Sequence, residues 1–117
     1  MKHKELFIIA DSLVRTVIRK RDKDICQKCK SAGEEVHHII TRRNKMLRFN
    51  FSNLILLCSG CHTLNRDSAH KDELNFKIWF SENYPDRWIE IKSLKNISKH
   101  WKEYNLKELI KELKNAI

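Results

Sequence analysis

Hydrophobic residues near the N-terminus recur at intervals of three and four positions. The positions that share this spacing are Leu6, Ala10, Leu13, Val14 and Val17. The pattern predicts an amphipathic helix that ends near the basic run 19–21, where positive side chains interact favourably with the helix dipole.

Two shorter apolar runs have the length and composition of strands. Residues 35–41 carry three aliphatic side chains, and Leu54–Leu57 is continuously apolar. We therefore predict two paired strands joined by the basic loop 42–50. The polar stretch from about residue 60 to residue 70 is predicted to be helical.

The C-terminal part of the chain predicts further helices. A helix over 72–83 should end before Pro85, because proline disfavours helical geometry in the residue before it. Within 88–101, a helical stripe is formed by Leu94, Ile97 and Trp101.

The final segment has the clearest helical pattern. Asn105 is placed to cap a helix, and Glu108 three positions later completes a capping-box pattern. The apolar face of this helix consists of Leu106, Leu109, Ile110 and Leu113. This face either completes the core, which leaves a monomer, or joins two chains in a homodimer.

The composition favours a single, mostly helical α+β domain. The 117 residues suffice for one compact core, and two glycines and one proline are too few for the turns of a β-sandwich or barrel. We expect one domain over residues 1–117, made of an N-terminal helix (1–21), a central unit (22–70) and a helical extension (71–117). Large aromatic side chains are expected in the core rather than on a base-stacking surface: Phe76, Trp79, Phe80, Trp88 and Trp101.

No membrane segment is apparent in the sequence. No apolar stretch approaches the roughly 20 residues that span a bilayer. The run Leu6–Ala10 is too short for a signal peptide. We therefore expect a cytoplasmic protein with no membrane partner.

The chain is strongly basic, and its charge is uneven. Lys and Arg outnumber Asp and Glu by 24 to 15, and residues 1–50 hold 13 basic but only 6 acidic side chains. Such a balance suits a polyanion such as DNA, with the first half facing the phosphates. A solvated basic surface without a dedicated partner is the alternative.

The four cysteines form two Cys-x-x-Cys pairs, Cys26 with Cys29 and Cys58 with Cys61. Two such knuckles supply the four tetrahedral ligands of a structural zinc site, which would add folding free energy to a small domain. A redox pair is the competing interpretation, but a redox motif would occur once rather than twice around a basic segment.

Several polar residues stand between and just after the knuckles: His37, His38, Asn53 and His62. Four sulfurs complete a zinc shell, so the histidines are free for another task. If 37–40 is a strand, His37 and His38 point to opposite faces and cannot do the same job. His62 directly follows a zinc ligand, which fixes its backbone.

This ordered set resembles the His-Asn-His (HNH) nucleases that carry a four-cysteine zinc support. The resemblance covers about residues 26–66 and implies a central ββα-metal fold. It also implies a metal-dependent DNA endonuclease that hydrolyses phosphodiester bonds with a single catalytic ion. By analogy with this family, the protein would be a phage or mobile-element product, or a restriction or packaging factor.

The resemblance implies a role for each of these residues. His38 would be the general base, since an imidazole pKa of about 6.5 suits proton transfer near neutral pH. His37 and His62 would hold the catalytic divalent ion, either Mg²⁺, Mn²⁺ or another transition metal. Asn53 would orient the loop and the base through its amide.

Basic side chains beside these motifs are expected to hold the DNA backbone. Those in the loop between the strands are Arg42, Arg43, Lys45 and Arg48, and Arg66 follows His62 by one turn. The other histidines, His3, His70 and His100, match nothing in the motif and are expected on the surface.

The alternative function is a non-catalytic, zinc-stabilised DNA-binding module in which the histidines pack or touch phosphate. A redox-sensing zinc switch is a third hypothesis, and only the cysteines support it.

Overall fold

The computed structural model of the chain describes residues 3–117. The two N-terminal residues of the predicted first helix lie outside the described residues. In chain order, the elements are α1 (His3–Arg21), β1 (Glu35–His38), a 3₁₀ turn (Phe51–Asn53), β2 (Leu54–Leu57), a π-helical turn (Gly60–Leu64), α2 (Glu73–Asn83), α3 (Pro85–Leu94) and α4 (Glu103–Ala116). The α+β, mostly helical class predicted from the sequence is confirmed.

The two strands form one antiparallel hairpin at the centre of the fold. Glu35 pairs with Leu57 and His38 with Leu54. All four residues of β2 are fully buried. A strand covered on both faces needs a continuous apolar sequence rather than an alternating one, which explains the run of four aliphatic residues.

The two faces of the hairpin contact two separate hydrophobic clusters. Leu54 and Leu56 pack on the side of α1 and α4. Ile55 and Leu57 pack on the side of α2 and α3. The hairpin is therefore held between two helical layers, and each strand position is assigned to one layer by the period of two.

The apolar face of α4 is buried within the chain. Leu106, Ile110 and Leu113 join the cluster formed with α1. Core completion, one of the two expected roles of this face, is the one the structure shows.

The boundaries of two predicted helices in the C-terminal part differ from the structure. The helical stripe predicted over 88–101 is wrong, because α3 ends at Leu94 and residues 97 and 101 lie in the following loop. The predicted Asn105 cap is also wrong: α4 begins at Glu103, and the Asn105 side chain accepts a hydrogen bond from the Lys102 backbone amide. Trp101 instead donates a hydrogen bond to the Lys45 carbonyl, a contact between distant segments that no local pattern reveals.

The helix predicted over 60–70 is shorter than expected. Only Gly60–Leu64 is helical, with π geometry, and turns follow up to α2. The backbone amides of Ala69 and His70 bond instead to the carbonyls of Cys61 and His62. The segment therefore folds back on itself rather than continuing as a helix.

A partly buried ion pair between Arg21 and Asp22 covers the open edge of β2. Asp22 is 6% exposed and accepts two hydrogen bonds from the Arg21 guanidinium and one from the Leu56 amide. Arg21 also donates to the carbonyls of Phe51 and Leu54. These side chains bond to backbone groups of β2 that a neighbouring strand would otherwise pair with, and they hold the end of α1 against the sheet.

Within residues 3–117, no helix is both long and apolar enough to cross a membrane.

Candidate active site

A cleft of about 420 Å³ opens between β1, the π-helical turn and α2. Four histidines line it: His37 and His38 from β1, His62 from the turn, and His70 from the segment before α2. We call this space the histidine cleft. Arg15 reaches it from α1.

Three of these rings, His37, His62 and His70, converge on a common point. The ring centroid of His37 lies 5.2 Å from those of His62 and His70, and the latter two rings are 4.6 Å apart. The Nε2 atoms of His62 and His70 are 3.0 Å apart. Metal–nitrogen bonds of about 2.0–2.1 Å separate two ligands of one ion by about 3 Å, so these residues fit a single divalent cation.

The fold brings each of these rings to the cleft by a different route. His37 lies on the face of β1 that packs against Phe76. His62 directly follows Cys61 in the π-helical turn. His70 is placed by the backbone hydrogen bond from its amide to the His62 carbonyl, 3.1 Å long.

Burial controls the charge of His37. The side chain is 8% exposed, and desolvation, aided by the charges of His62 and His70, lowers its pKa to about 3. The ring is therefore neutral at pH 7, with a lone pair available to a metal ion.

His62 is held on its other side by a carboxylate. Its Nδ1 lies 2.8 Å from Oε1 of Glu35, and the second oxygen of Glu35 accepts a hydrogen bond from Ser59 Oγ. The hydrogen bond from Ser59, followed by the bond to His62, keeps the pKa of Glu35 below its usual value. Glu35 is thus an ionised partner of His62.

His38, the next residue on β1, lines the same cleft but is not one of the three converging rings. Its Nε2 lies 3.1 Å from the backbone carbonyl of Arg48. A carbonyl only accepts, so Nε2 carries the proton and Nδ1 keeps its lone pair. Burial lowers the pKa of His38, although the Arg48 carbonyl opposes this shift.

Asn53 is fully buried below the loop between the strands. Its Oδ1 accepts a hydrogen bond from the Ile40 amide, and its Nδ2 donates to the carbonyls of Ile40 and Leu47. One side chain therefore ties both ends of the loop that follows His38.

The four cysteines form a second cluster, in which the sulfur atoms all lie within 4.8 Å of one another. Cys29 and Cys58 are 3.6 Å apart, and Zn–S bonds of about 2.3 Å place two tetrahedral ligands about 3.8 Å apart. Hydrogen bonds from Ser31 lower the pKa of Cys29 to about 6, which favours the thiolate. The cluster can hold a zinc ion.

The predicted DNA contacts have different surroundings. Arg42 lines the histidine cleft, whereas Arg43 and Arg66 are exposed outside it. Arg48 forms a 2.6 Å ion pair with Asp11.

Other basic side chains lie over an aromatic ring or line the cleft. Lys45 lies over the ring of Phe7 on α1, 4.9 Å from its centroid. The two further cations that line the histidine cleft, Arg15 and Lys77, were not singled out from the sequence.

Sequence reasoning also missed Glu35 and His70. His70 follows His62 by eight positions, across turns rather than a continuous helix, so no sequence period connects the two rings. The sequence gives one indirect indication for Glu35. It stands two residues before His37 on the predicted strand, so the two side chains share a face.

Comparison with known families gives one match. Residues 26–68 match the model of the HNH endonuclease family, in agreement with the resemblance inferred from the motifs. The match contains both knuckles, His37, His38 and His62, and it ends two residues before His70. No curated protein and no solved structure matches the chain significantly.

Proposed function

We propose that this chain, whose residues 26–68 carry the HNH endonuclease signature, is a metal-dependent DNA endonuclease with a single catalytic ion and a histidine base. The observation that carries the proposal is the convergence of His37, His62 and His70 beside His38. A module that only binds DNA has no need of three imidazoles around one point.

The three converging imidazoles are the proposed ligands of the catalytic ion. When bound, a divalent ion would offset the negative charge that develops on the phosphoryl oxygens during hydrolysis. An all-nitrogen set suits Mn²⁺, Co²⁺, Ni²⁺ or Zn²⁺ better than Mg²⁺, which prefers oxygen.

His38 is the proposed general base. Its Nε2–H is engaged by the Arg48 carbonyl, so the free Nδ1 accepts the proton of the attacking water. The lowered pKa of His38 keeps the ring neutral at pH 7. Asn53 supports this base indirectly, because its amide fixes the loop that carries the Arg48 carbonyl.

The DNA strand is proposed to lie across the histidine cleft. Arg15 and Arg42 from one side and Lys77 from the other place positive charge along it, opposed by the carboxylate of Glu73 alone among the lining residues. Cations so placed can hold the phosphates on either side of the cut. Arg43, Lys45 and Arg66 would extend this surface, whereas Arg48 is engaged with Asp11.

The cysteine cluster is proposed to bind a structural Zn²⁺. Four sulfurs leave no open position for water or substrate, so this ion would act on the fold rather than on the reaction. Its nearest consequence is the position of His62, the residue that follows the ligand Cys61.

A plasmid cleavage assay tests the nuclease proposal. We expect wild-type protein to nick or linearise plasmid with Mn²⁺ and not with excess chelator. His38→Ala should be inactive, and His100→Ala, which removes an exposed histidine outside the cleft, should cut like wild type.

The same assay distinguishes the alternative binding module. A protein that shifts DNA in a gel but cleaves none with any divalent ion would contradict the nuclease. Equal cutting by wild type and His38→Ala would remove His38 from the role of base.

A further inference from the structure

The carboxylate of Glu35 bridges the sheet and the π-helical turn. Oε1 lies 2.8 Å from Nδ1 of His62, and Oε2 accepts a hydrogen bond of 2.6 Å from Ser59 Oγ. Both oxygens are used, so the plane of the carboxylate is fixed from two directions.

The strand register places Glu35 at this position. Glu35 pairs with Leu57, the residue directly before the second cysteine knuckle. It also shares a face of β1 with His37, since side chains two positions apart point the same way. One strand face therefore supplies both a ring of the cluster and the partner of another ring.

The bond to Glu35 selects one form of the His62 ring. Because an ionised carboxylate only accepts, Nδ1 of His62 must carry the proton, and Nε2 keeps its lone pair. Nε2 is the atom that faces Nε2 of His70 at 3.0 Å. In the other form a hydrogen atom would point into this gap and prevent a cation from binding.

Glu35 does not belong to the converging group itself. Among the described residues, the group of ligand atoms within 4.8 Å comprises His37, His62 and His70. The carboxylate lies on the opposite side of the His62 ring from the shared point.

We propose that Glu35 is a positioning residue that fixes the Nδ1–H form and the orientation of His62, and thereby raises the affinity of the three histidines for a divalent transition metal. This inference rests on the proposed function, because it assigns a metal ion to that site. Carboxylate partners of ligating histidines typically account for about 10–100-fold in metal affinity.

Calorimetric and spectroscopic titration with Co²⁺ tests the inference on protein loaded with one equivalent of Zn²⁺ per chain, which the four thiolates bind in preference to the histidines. We expect Glu35→Ala to raise the Kd for Co²⁺ by about 10–100-fold. Glu35→Gln should raise it less, because the amide oxygen still accepts the Nδ1–H bond but lacks the charge. The matched control is Glu34→Gln, which removes the neighbouring exposed carboxylate and should stay within about twofold of wild type.

A second measurement reports the ring directly. Long-range ¹H–¹⁵N NMR of the Co²⁺-free protein should show His62 protonated at Nδ1 in wild type and Glu34→Gln, and a mixture of both forms in Glu35→Ala. A structural role alone would change thermal stability but not this ratio. If Glu35→Ala fails to fold, both measurements are made on the isosteric variant Glu35→Gln.

The outcomes separate this inference from the nuclease proposal. Co²⁺ affinity and an Nδ1–H signal unchanged in the Glu35 variants would overturn it while leaving the nuclease intact. Failure of wild type to bind Co²⁺ at the histidines would overturn both the metal site and this inference. Normal Co²⁺ binding without DNA cleavage would contradict the nuclease alone.

Discussion

The Nε2 atoms of His62 and His70 face each other at 3.0 Å across the histidine cleft. The contact is built by the backbone, because the His70 amide bonds to the His62 carbonyl and the Ala69 amide to the Cys61 carbonyl. Two nitrogen atoms so close, with His37 beside them, form a ready set of ligands for a cation.

Replacing His70 should weaken metal binding strongly. His70→Ala removes one of three proposed ligands, so we expect the Kd for Co²⁺ or Mn²⁺ to rise by at least about 100-fold, since even supporting partners account for about 10–100-fold. Titration calorimetry measures the change, with His100→Ala as the matched control. Equal affinity of wild type and His70→Ala would exclude His70 as a ligand.

Replacing His38 should separate the chemical step from metal binding. Loss of a general base costs about 100- to 10,000-fold in rate, so His38→Ala should cleave plasmid correspondingly slowly. Its Co²⁺ affinity should stay near that of wild type, because His38 is not among the converging ligand atoms and its Nε2 is bonded to the Arg48 carbonyl. A parallel loss of metal binding would place His38 among the ligands instead.

The pH dependence of cleavage should reflect the burial of His38. Desolvation lowers the pKa of this ring from its ordinary value of 6.5. The neutral base therefore persists as pH falls through 6.5, and the rate should stay on its plateau at pH 7 and decline only below about 6.5. Single-turnover rates at saturating Mn²⁺ test this, and a decline centred above pH 7 would contradict it.

The ion pair at the edge of β2 should be important for stability. Asp22→Ala removes the acceptor for Arg21 and for the buried Leu56 amide, and a buried donor left without a partner costs about 1–3 kcal/mol. Asp24→Asn removes an exposed pair with Arg19 and keeps a residue that tolerates the positive φ at this position, so it should cost less than about 1 kcal/mol. Urea unfolding of the zinc-loaded proteins compares the two, and equal losses would show that the Asp22 contacts add no stability.

Removal of zinc should disorganise the histidines as well as the cysteines. His62 follows the ligand Cys61, and Ala69 and His70 are tied to these two residues by backbone bonds. Chelation should therefore abolish Co²⁺ binding at the histidines and increase proteolysis between residues 58 and 72, and added Zn²⁺ should reverse both effects. Retention of the histidine site in zinc-free protein would show that the two clusters are independent.

The secondary structure was predictable wherever a local period existed. The spacing of apolar residues in α1 fits a helix, and the continuous apolar run of β2 fits a buried strand. Both elements were predicted from the sequence. Boundaries failed where long-range contacts decide them. Trp101 leaves the predicted helical stripe because its indole donates to Lys45, 56 residues away.

The sequence by itself determined the chemistry available to this protein. It established two knuckles of thiols, adjacent imidazoles forced to opposite faces of a strand, and an excess of positive charge. Spacing and alternation are local properties, and they act before any tertiary contact forms.

Only the tertiary structure decided which groups meet. It added His70 and Glu35 to the site, brought Arg15 and Lys77 to the cleft, and engaged Arg48 with Asp11. These relationships join different elements, and a turn or a packed helix can bring together side chains with no common period. Convergence in space follows from the packing of both layers against the hairpin, which no local pattern encodes.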